Sequence, residues 1–366
     1  MKKFGERLRQ LRTARGLSQM DFSKLITKFG EADTDFLSVK QEPFRIYGAY
    51  SANDGDVIRR MPEETAKKVS DRVHMFHAHA TGVRVRFCTD SPYVIFAIEQ
   101  KCEVAYPMFM SAHGFAGTDM YVNGEYVAAF VPQCEEETKN GYNGIYRFYG
   151  KGKYQVQLNL PLYCQVKDVY IGVKKGSVIT AGEEYPNKKP VVFYGSSIVH
   201  GGNVSSASAC YPTVVSRLLN CDFINLGFSG SAFGEKEMAE YISGLSMAAF
   251  IFDYDHNAPT VEHLKNTHKP FFDIVREKNP SLPIIFINRP FCADACERAA
   301  RTAVIKETYE TALKNGDKNV RFIDNEETFS TWGQFSLTND GTHPNDLGMA
   351  LIAKRVCESL KEFMPL

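Results

Sequence analysis

The sequence predicts an α/β fold in two parts: a three-layer α/β/α sandwich with a parallel, flavodoxin-like sheet, preceded by a jelly-roll-like β-sandwich. The first observation is that five continuous apolar runs, each followed by a helical pattern, occur after about residue 188. The second is that short runs of β-favouring residues, broken by turn residues, occupy about residues 40–180. The third is the length of 366 residues, which exceeds that of a usual single domain.

Residues 1–38 are charged and favour a helix, with apolar side chains spaced as Phe4, Leu8 and Leu11. Residues 4–19 resemble the opening helix and turn of phage-repressor-type helix-turn-helix domains. Such a module needs a second helix that enters the major groove, and residues 28–36 lack that pattern. We therefore predict a helical segment at 1–38, either a helix-turn-helix remnant or an amphipathic helix packed on the rest of the chain, and no nucleic-acid partner.

Residues 39–183 have the pattern of an all-β domain. Their β-type runs are separated by turn residues, and Asn123-Gly124 between two of them is a strong hairpin signal. Many short strands with this punctuation are typical of a β-sandwich. We place the runs at 84–88, 93–98, 120–122, 126–131 and 169–173.

Residues 184–366 alternate between buried-type strands and helices. This pattern predicts parallel βαβ units and a sheet covered on both faces. In such sheets the functional groups lie on loops that leave the carboxyl ends of the strands. The five predicted strands are 191–194, 223–226, 249–252, 284–287 and 320–323.

Composition excludes several classes of protein. Basic and acidic residues number 43 each, so no net charge attracts the chain to nucleic acid or membrane. No apolar run approaches the roughly 20 residues of a membrane helix, and the first residues lack the apolar core of a secretory signal. Nine scattered cysteines then indicate a cytoplasmic protein with reduced thiols. Cys292 and Cys296 lack a second ligand pair, so we expect no metal site there.

Polar residues follow four of the predicted strands. Ser197 comes after the first strand, Gly230 after the second, and Asn257 after the third. Asp340 and His343 follow the fifth strand, three positions apart in one loop. Because parallel strands end at the same edge of a sheet, we expect these residues to meet there.

Acyl transfer needs this set of residue types. A serine hydroxyl becomes a useful nucleophile when an imidazole takes its proton, and a carboxylate fixes the tautomer of that imidazole. The oxyanion that forms needs hydrogen-bond donors already aimed at it.

The four blocks resemble those of the SGNH (GDSL) hydrolase superfamily, in order and roughly in spacing, over about residues 188–366. The resemblance implies that Ser197 is the nucleophile and that Asp340 and His343 complete a catalytic triad. It also implies an oxyanion hole made of the backbone N–H groups of Ser197 and Gly230 and the side-chain amide of Asn257. The family usually has Asp where this chain has Ser196, which makes Ser196 a rival nucleophile.

The upstream domain resembles a narrower group. Residues 117–121 are similar to the GxDLY motif of the small domain that precedes SGNH domains in a bacterial subfamily, with Met120 in place of Leu. The resemblance implies an esterase that removes a short acyl group, such as acetyl, from a carbohydrate or another small polar molecule, without a cofactor or metal. A thioesterase or lysophospholipase with the same triad, a ligand-sensing DNA-binding regulator and a binding module with an inactive enzyme remain alternatives.

Several further residues are candidates for substrate binding or for a structural role. His74, His77 and His79 have metal-like spacing but no accompanying carboxylate or cysteine, so we expect a surface or strand-facing position. We expect Trp332 to pack rather than to bind a sugar. The substrate-binding candidates, each with a bracing or structural alternative, are His200, Asp255, His256, Asp119 and Tyr121.

Overall fold

The computed structural model describes residues 22–52, 56–103, 110–291 and 294–364. The helix-turn-helix-like residues 4–19 and Cys292 lie outside this part of the chain. Its strands are β1 (Thr34–Ser38), β2 (Arg45–Tyr47), β3 (Arg84–Thr89), β4 (Tyr93–Lys101), β5 (Thr118–Val122), β6 (Glu125–Phe130), β7 (Asn143–Arg147), β8 (Tyr154–Asn159), β9 (Gln165–Lys174), β10 (Ile179–Ala181), β11 (Asn187–Gly195), β12 (Cys221–Gly227), β13 (Ala249–Asp253), β14 (Ile284–Ile287) and β15 (Val320–Ile323).

The helices of the same residues alternate with strands in the second half. They are α1 (Phe22–Phe29), α2 (Glu63–Val69), α3 (Asp71–Phe76), α4 (Ala112–Ala116), α5 (Glu135–Asn140), α6 (Ser197–His200), α7 (Tyr211–Leu219), α8 (Lys236–Ser243), α9 (Val261–Lys278), α10 (Ala295–Lys314), α11 (Asn325–Phe329), α12 (Gln334–Leu337) and α13 (Asp346–Lys361). Among these described helices, none has the length and apolarity to cross a membrane.

The first half forms the predicted β-sandwich. One antiparallel sheet has the strand order β1-β9-β4-β7, and the other has the order β10-β3-β8-β5-β6, with β2 also paired to β3. Their facing sides enclose an apolar core that includes Phe87, Phe96, Leu158 and Ile171. Alternate residues of a strand point to opposite faces, so Arg84 and Arg86 leave this core and point to the other face of β3.

The sandwich begins earlier than the predicted boundary at residue 38. Strand β1 pairs antiparallel with β9 in register from Thr34 to Ser38, so these five residues belong to the sandwich and not to the helical segment. Helix α1 ends at Phe29 and packs on the same sheet, where Phe22 stacks on Phe36 with ring centroids 4.6 Å apart. A five-residue strand at a sheet edge is too short to show a periodicity that distinguishes it from a frayed helix.

The second half forms the predicted parallel sheet, in the order β12-β11-β13-β14-β15. This is the flavodoxin-like 2-1-3-4-5 order, whose crevice lies where the strand order reverses. Apolar side chains on the two faces form separate clusters with the covering helices. The residues that follow β11 and β13 therefore sit beside the crevice.

The two halves share a core. Residues 61–76 leave the core of the β-sandwich and lie on the parallel sheet, where Val73 and Phe76 pack in one cluster with Tyr194 and Phe228. Arg60, which is 1% exposed, links the two halves through hydrogen bonds. Its guanidinium donates to the carbonyl oxygens of His79 (2.8 Å), Phe76 (2.6 Å), Asn225 (2.6 Å) and Gly227 (3.1 Å).

One pair of cysteines departs from the expectation of reduced thiols. Cys102, after β4, is joined by a disulfide to Cys164, before β9, with Cα atoms 4.6 Å apart. The two residues are 62 positions apart in the sequence, so their spacing gave no sign of the pairing. The other described cysteines, including the exposed Cys296, are free.

Candidate active site

Ser197 lies at the first turn after β11, where the chain passes close to its neighbour. A Cβ at Gly195 would collide with the backbone oxygen of Asp253 on β13, so the turn requires glycine. The hydroxyl of Ser196 is buried and accepts a hydrogen bond from the N–H of Ile198 at 3.2 Å, which caps helix α6. The hydroxyl of Ser197 instead lies 2.8 Å from Nε2 of His343.

Asp340 holds His343 in position. Its Oδ2 is 2.6 Å from Nδ1 of His343, and its Oδ1 accepts from the backbone N–H groups of Thr342 (2.9 Å) and His343 (2.7 Å). A carboxylate only accepts hydrogen bonds, so Nδ1 carries the proton and Nε2 is left as an acceptor for the serine. Burial tends to raise the pKa of Asp340, but the hydrogen bonds and charge of His343 outweigh it and hold that pKa below its usual value.

Asn257, after β13, has a fixed side-chain orientation. Its Oδ1 accepts from the backbone N–H groups of Ser231 (3.1 Å) and Ala232 (3.3 Å), which are unambiguous donors. The amide NH₂ group is therefore the end that remains for a ligand. Gly230 lies on the same rim with φ of +64°, a left-handed conformation that suits glycine.

Ser197, Gly230, Asn257 and His343 line one pocket of about 430 Å³. The wall opposite the parallel sheet comes from the first half of the chain. It consists of Arg72, Phe76, Phe115 and Tyr163. The sequence gives no sign of this wall, because none of these residues follows a strand of the parallel sheet and no short motif marks them.

Of the predicted substrate-binding residues, His256 lines this pocket. Its ring centroid is 6.3 Å from that of His343. Burial, and then the positive charge of Arg289, lowers the pKa of His256 to about 3. The imidazole of His256 is therefore neutral at ordinary pH.

His200 lies behind the pocket and is fully buried. Its Nε2 is 2.8 Å from the carbonyl oxygen of Leu162, and its ring stacks on Tyr163 with centroids 4.2 Å apart. Tyr163 in turn shares a hydrogen bond of 3.0 Å with Ser229. His200 thus supports a residue of the pocket wall.

The remaining candidates lie outside the pocket. Asp255 is buried and accepts from the N–H of Arg289 (2.9 Å) and from Nη1 of Arg301 (3.2 Å). Asp119 accepts from the N–H of Ser208 at 2.7 Å and from the His113 ring. The hydroxyl of Tyr121 accepts from Arg217 at 3.1 Å. Each of the three joins separate segments of the fold.

The histidines at 74, 77 and 79 differ in exposure. His77 and His79 are buried and His74 is partly exposed, so a surface position fits only His74. Trp332 is 55% exposed, which contradicts the expectation that it packs.

Comparison with known families agrees with this geometry. Residues 188–361 match the GDSL-like lipase/acylhydrolase family, and residues 34–179 match the N-terminal domain of SGNH-hydrolase-type esterases. The chain therefore carries a GDSL-like acylhydrolase domain behind a GxDLY domain. It is an ester hydrolase of the SGNH type. No curated protein sequence matches the chain significantly.

Three solved structures illustrate the similarity. A structure described as a GDSL-like lipase of Bacteroides ovatus is 26% identical, with a TM-score of 0.79 over 90% of this chain and 98% of its own. A salicylyl-acyltransferase from a tetracycline biosynthetic pathway is 21% identical, with a TM-score of 0.74 over 90% and 97%. An acetyl xylan esterase of Butyrivibrio proteoclasticus is 14% identical, with a TM-score of 0.60 over 90% and 98%. The last two show a shared fold.

Proposed function

We propose that this chain is a serine esterase that removes a short acyl group, in particular acetyl, from a hydroxyl of a carbohydrate or another small polar molecule. The observation that carries the proposal is the continuous chain of hydrogen bonds from Ser197 through His343 to Asp340. This arrangement is what nucleophilic acyl transfer requires at neutral pH.

The reaction divides into two steps. Ser197 Oγ attacks the ester carbonyl while its proton passes to Nε2 of His343, and His343 then protonates the departing alcohol. Water hydrolyses the acyl-serine by the same route, with His343 as base and then as acid toward Ser197. Asp340 stays ionised throughout and stabilises the charged imidazole, in agreement with its lowered pKa.

The oxyanion is stabilised by donors from three loops. We assign this role to the side-chain amide of Asn257 and the backbone N–H groups of Ser197 and Gly230. Two backbone N–H groups hold the Asn257 oxygen, so its NH₂ group does not have to reorient when charge develops. Donors fixed in advance are the most effective kind.

The pocket supports a small acyl group on a polar alcohol. Its aromatic wall of Phe76, Phe115 and Tyr163 gives apolar contact for a short chain. The guanidinium of Arg72 lies near Gly230 and is a hydrogen-bond donor for oxygens of the alcohol. The acetyl xylan esterase with this fold acts on an acetylated carbohydrate, which adds support to the acetyl assignment.

A panel of substrates tests the proposal. We expect kcat/KM on p-nitrophenyl esters to be highest for acetate and to fall by at least about tenfold at octanoate, and acetylated xylo-oligosaccharides to release acetate. Ser197→Ala protein measures background hydrolysis. Preference for octanoate, or for an acyl thioester over the matched oxygen ester, would replace this proposal by the lysophospholipase or thioesterase alternative.

A further inference from the structure

A second cleft lies between the β-sandwich and the parallel-sheet domain. This junction cleft has a volume of about 470 Å³, within the range of small-molecule sites. One wall is the outer face of the sandwich, where Tyr121, Gln157 and Arg86 are direct neighbours across strands β5, β8 and β3. The other wall is helix α7, which contributes Ser216 and Arg217. The junction cleft and the catalytic pocket have no lining residue in common.

Arg86 is the unusual residue of this cleft. It is 8% exposed, and its Nε and Nη1 atoms are buried without a hydrogen-bond partner among the described residues. Its guanidinium carbon lies 4.4 Å from the ring centroid of Tyr185, which holds the group flat. A second ring, that of Tyr47, lies 6.0 Å from the same carbon, but no described carboxylate forms an ion pair with Arg86. A buried cation without an ionic partner destabilises the folded state, so its retention needs an explanation.

Arg84, two positions earlier on the same face, is an internal comparison. Its guanidinium pairs with Asp222 and donates to the oxygens of Gly82, Phe223 and Tyr185. The fold therefore supplies a full set of acceptors to one arginine of β3 and not to the other. Two acidic residues line the cleft, Glu183 and Glu184. The carboxylate of Glu184 is paired with Arg45 at 2.7 Å, and neither carboxylate is within ion-pair distance of Arg86.

Gln155 adds a further donor beside Arg86. Its Oε1 accepts from the backbone N–H of Glu183 at 2.9 Å, which fixes the amide orientation. Its Nε2 is buried without a partner among the described residues. The unsatisfied atoms of Arg86 and Gln155 are all donors, and a carboxylate is the side group that accepts from several donors at once and neutralises a guanidinium.

We propose that the junction cleft is a second binding site, separate from the esterase site, for a small hydroxylated carboxylate of the sugar-acid class. Arg86 and Gln155 bind the carboxylate. Hydroxyl and amide side chains around it, including Thr213, Ser216 and Asn159, bind the ligand's hydroxyl groups. This proposal does not depend on the proposed esterase reaction.

Calorimetric titration of the full chain with sodium glucuronate, and with glucose as its neutral counterpart, tests the site. We expect saturable binding of glucuronate with a Kd at least about tenfold below that of glucose, because a charged hydrogen bond contributes more than a neutral one. A trigalacturonate titration distinguishes a free sugar acid from a residue within a polymer, and binding of either supports the site. Equal binding of glucose and glucuronate, or no saturable binding of either acid, would overturn it.

Variants locate the binding. Arg86→Met should raise the Kd for glucuronate about 10- to 100-fold, and Gln155→Glu should also weaken binding because it replaces a donor by a negative charge. Arg147→Met, which removes an exposed arginine of the other sheet, is the matched control. An unchanged Kd in Arg86→Met would contradict the proposal.

A ligand-free measurement keeps the test independent of the probe. Without ligand, Arg86→Met should keep or raise the Tm, since the guanidinium it removes is buried without an ion pair and the methionine side chain can still pack on Tyr185, whereas Arg84→Met should lower it. A clear fall of Tm in Arg86→Met would show that Arg86 is a structural residue and would overturn the assignment. Ester hydrolysis should be unchanged in Arg86→Met.

Discussion

Two regions differ in how far local sequence marks their residues. One is the rim of the parallel sheet, where Ser197, Asn257 and His343 meet, and the other is the junction of the two halves around Arg60. At the rim, each functional residue follows a strand of the parallel sheet. His343 is oriented by Asp340, three positions earlier in its own loop, and Asn257 is held by the backbone of Ser231 and Ala232 after β12. The contact between Ser197 and His343 joins positions 146 apart. At the junction, Arg60 reaches carbonyl groups up to 167 positions away. Local motifs at strand ends thus identify the residues of the rim, although the sheet has to bring them together, whereas no motif identifies the residues of the junction.

The difference has a consequence for mutation. Changes at the rim should reduce turnover by more than they reduce stability, because Asn257 and His343 are partly exposed and Ser197, although buried, has a small side chain. Changes at the junction should reduce stability first, and turnover only through the end of β12, where Arg60 binds the carbonyl groups of Asn225 and Gly227.

The largest expected effect belongs to the rim. Ser197→Ala should lower kcat by about 10³-fold or more, because removal of a nucleophile disables the whole triad. Ser196→Ala is the matched control. It should lose a helix cap, at a cost of about 1 kcal/mol in the free energy of unfolding, and keep most of its turnover. Comparable losses of kcat in the two variants would contradict the assignment of Ser197 as nucleophile and Ser196 as helix cap.

Asn257→Ala should lower kcat about 100- to 1,000-fold, roughly 2.7–4 kcal/mol, because one oxyanion donor is lost. Steady-state kinetics and a melting curve on the same preparation separate this from unfolding. Asn266→Ala, at an exposed position of α9, is the control and should match the unaltered protein. A normal kcat with a lowered Tm would make Asn257 a structural residue.

Arg60→Met tests the junction. Four carbonyl oxygens lose their donor, so the free energy of unfolding should fall by about 2–3 kcal/mol after the gain from no longer burying a charge is subtracted. Chemical denaturation measures it, with Arg45→Met, a half-exposed arginine, as a control of small effect. If Arg60→Met were as stable as that control, the junction would not depend on this residue.

The last effect appears only at acid pH and vanishes near neutral pH. Burial, then the charges of Arg60 and His77, lowers the pKa of His79 from 6.5 to about 3. In the unfolded chain His79 is therefore protonated below about pH 6.5, whereas in the folded chain it stays neutral down to about pH 3. The free energy of unfolding falls as the pH falls through this window. His79→Phe removes the group without breaking a side-chain hydrogen bond, since both ring nitrogens of His79 lack a described partner.

Between pH 6.5 and 4.5 we expect the free energy of unfolding of His79→Phe to fall less steeply than that of the unaltered protein. The two slopes should differ by at most about 1.4 kcal/mol per pH unit. Denaturation curves at several pH values provide the comparison. If the free energies of unfolding of the two proteins changed with pH in parallel, folding would not lower the pKa of His79.

The same contrast explains what the sequence predicted. The apolar runs and the Asn123-Gly124 hairpin predicted the sheets correctly, and Asn123 and Gly124 have the positive φ angles of 53° and 86° that this turn needs. Motifs at strand ends predicted which residues meet at the rim. Each of these signals is local.

The missed features depend on long-range packing. The sequence does not distinguish the aromatic residues of the pocket wall, Phe76, Phe115 and Tyr163, from core residues of the first half. They reach the pocket because the first half packs on the parallel sheet. The Cys102–Cys164 disulfide and the burial of Arg86 without an ion pair likewise depend on which strands become neighbours. Periodicity and motifs carry no information on such contacts.

Covalent labelling tests the central claim most directly, that Ser197 is a nucleophile activated by His343. The protein is treated with a fluorophosphonate at pH 7.5 and the adduct is mapped by peptide mass spectrometry, with His343→Ala as the matched variant. We predict a single adduct on Ser197 and labelling at least about 100-fold slower in His343→Ala. An adduct on Ser196, or equal labelling rates in the two proteins, would contradict the account.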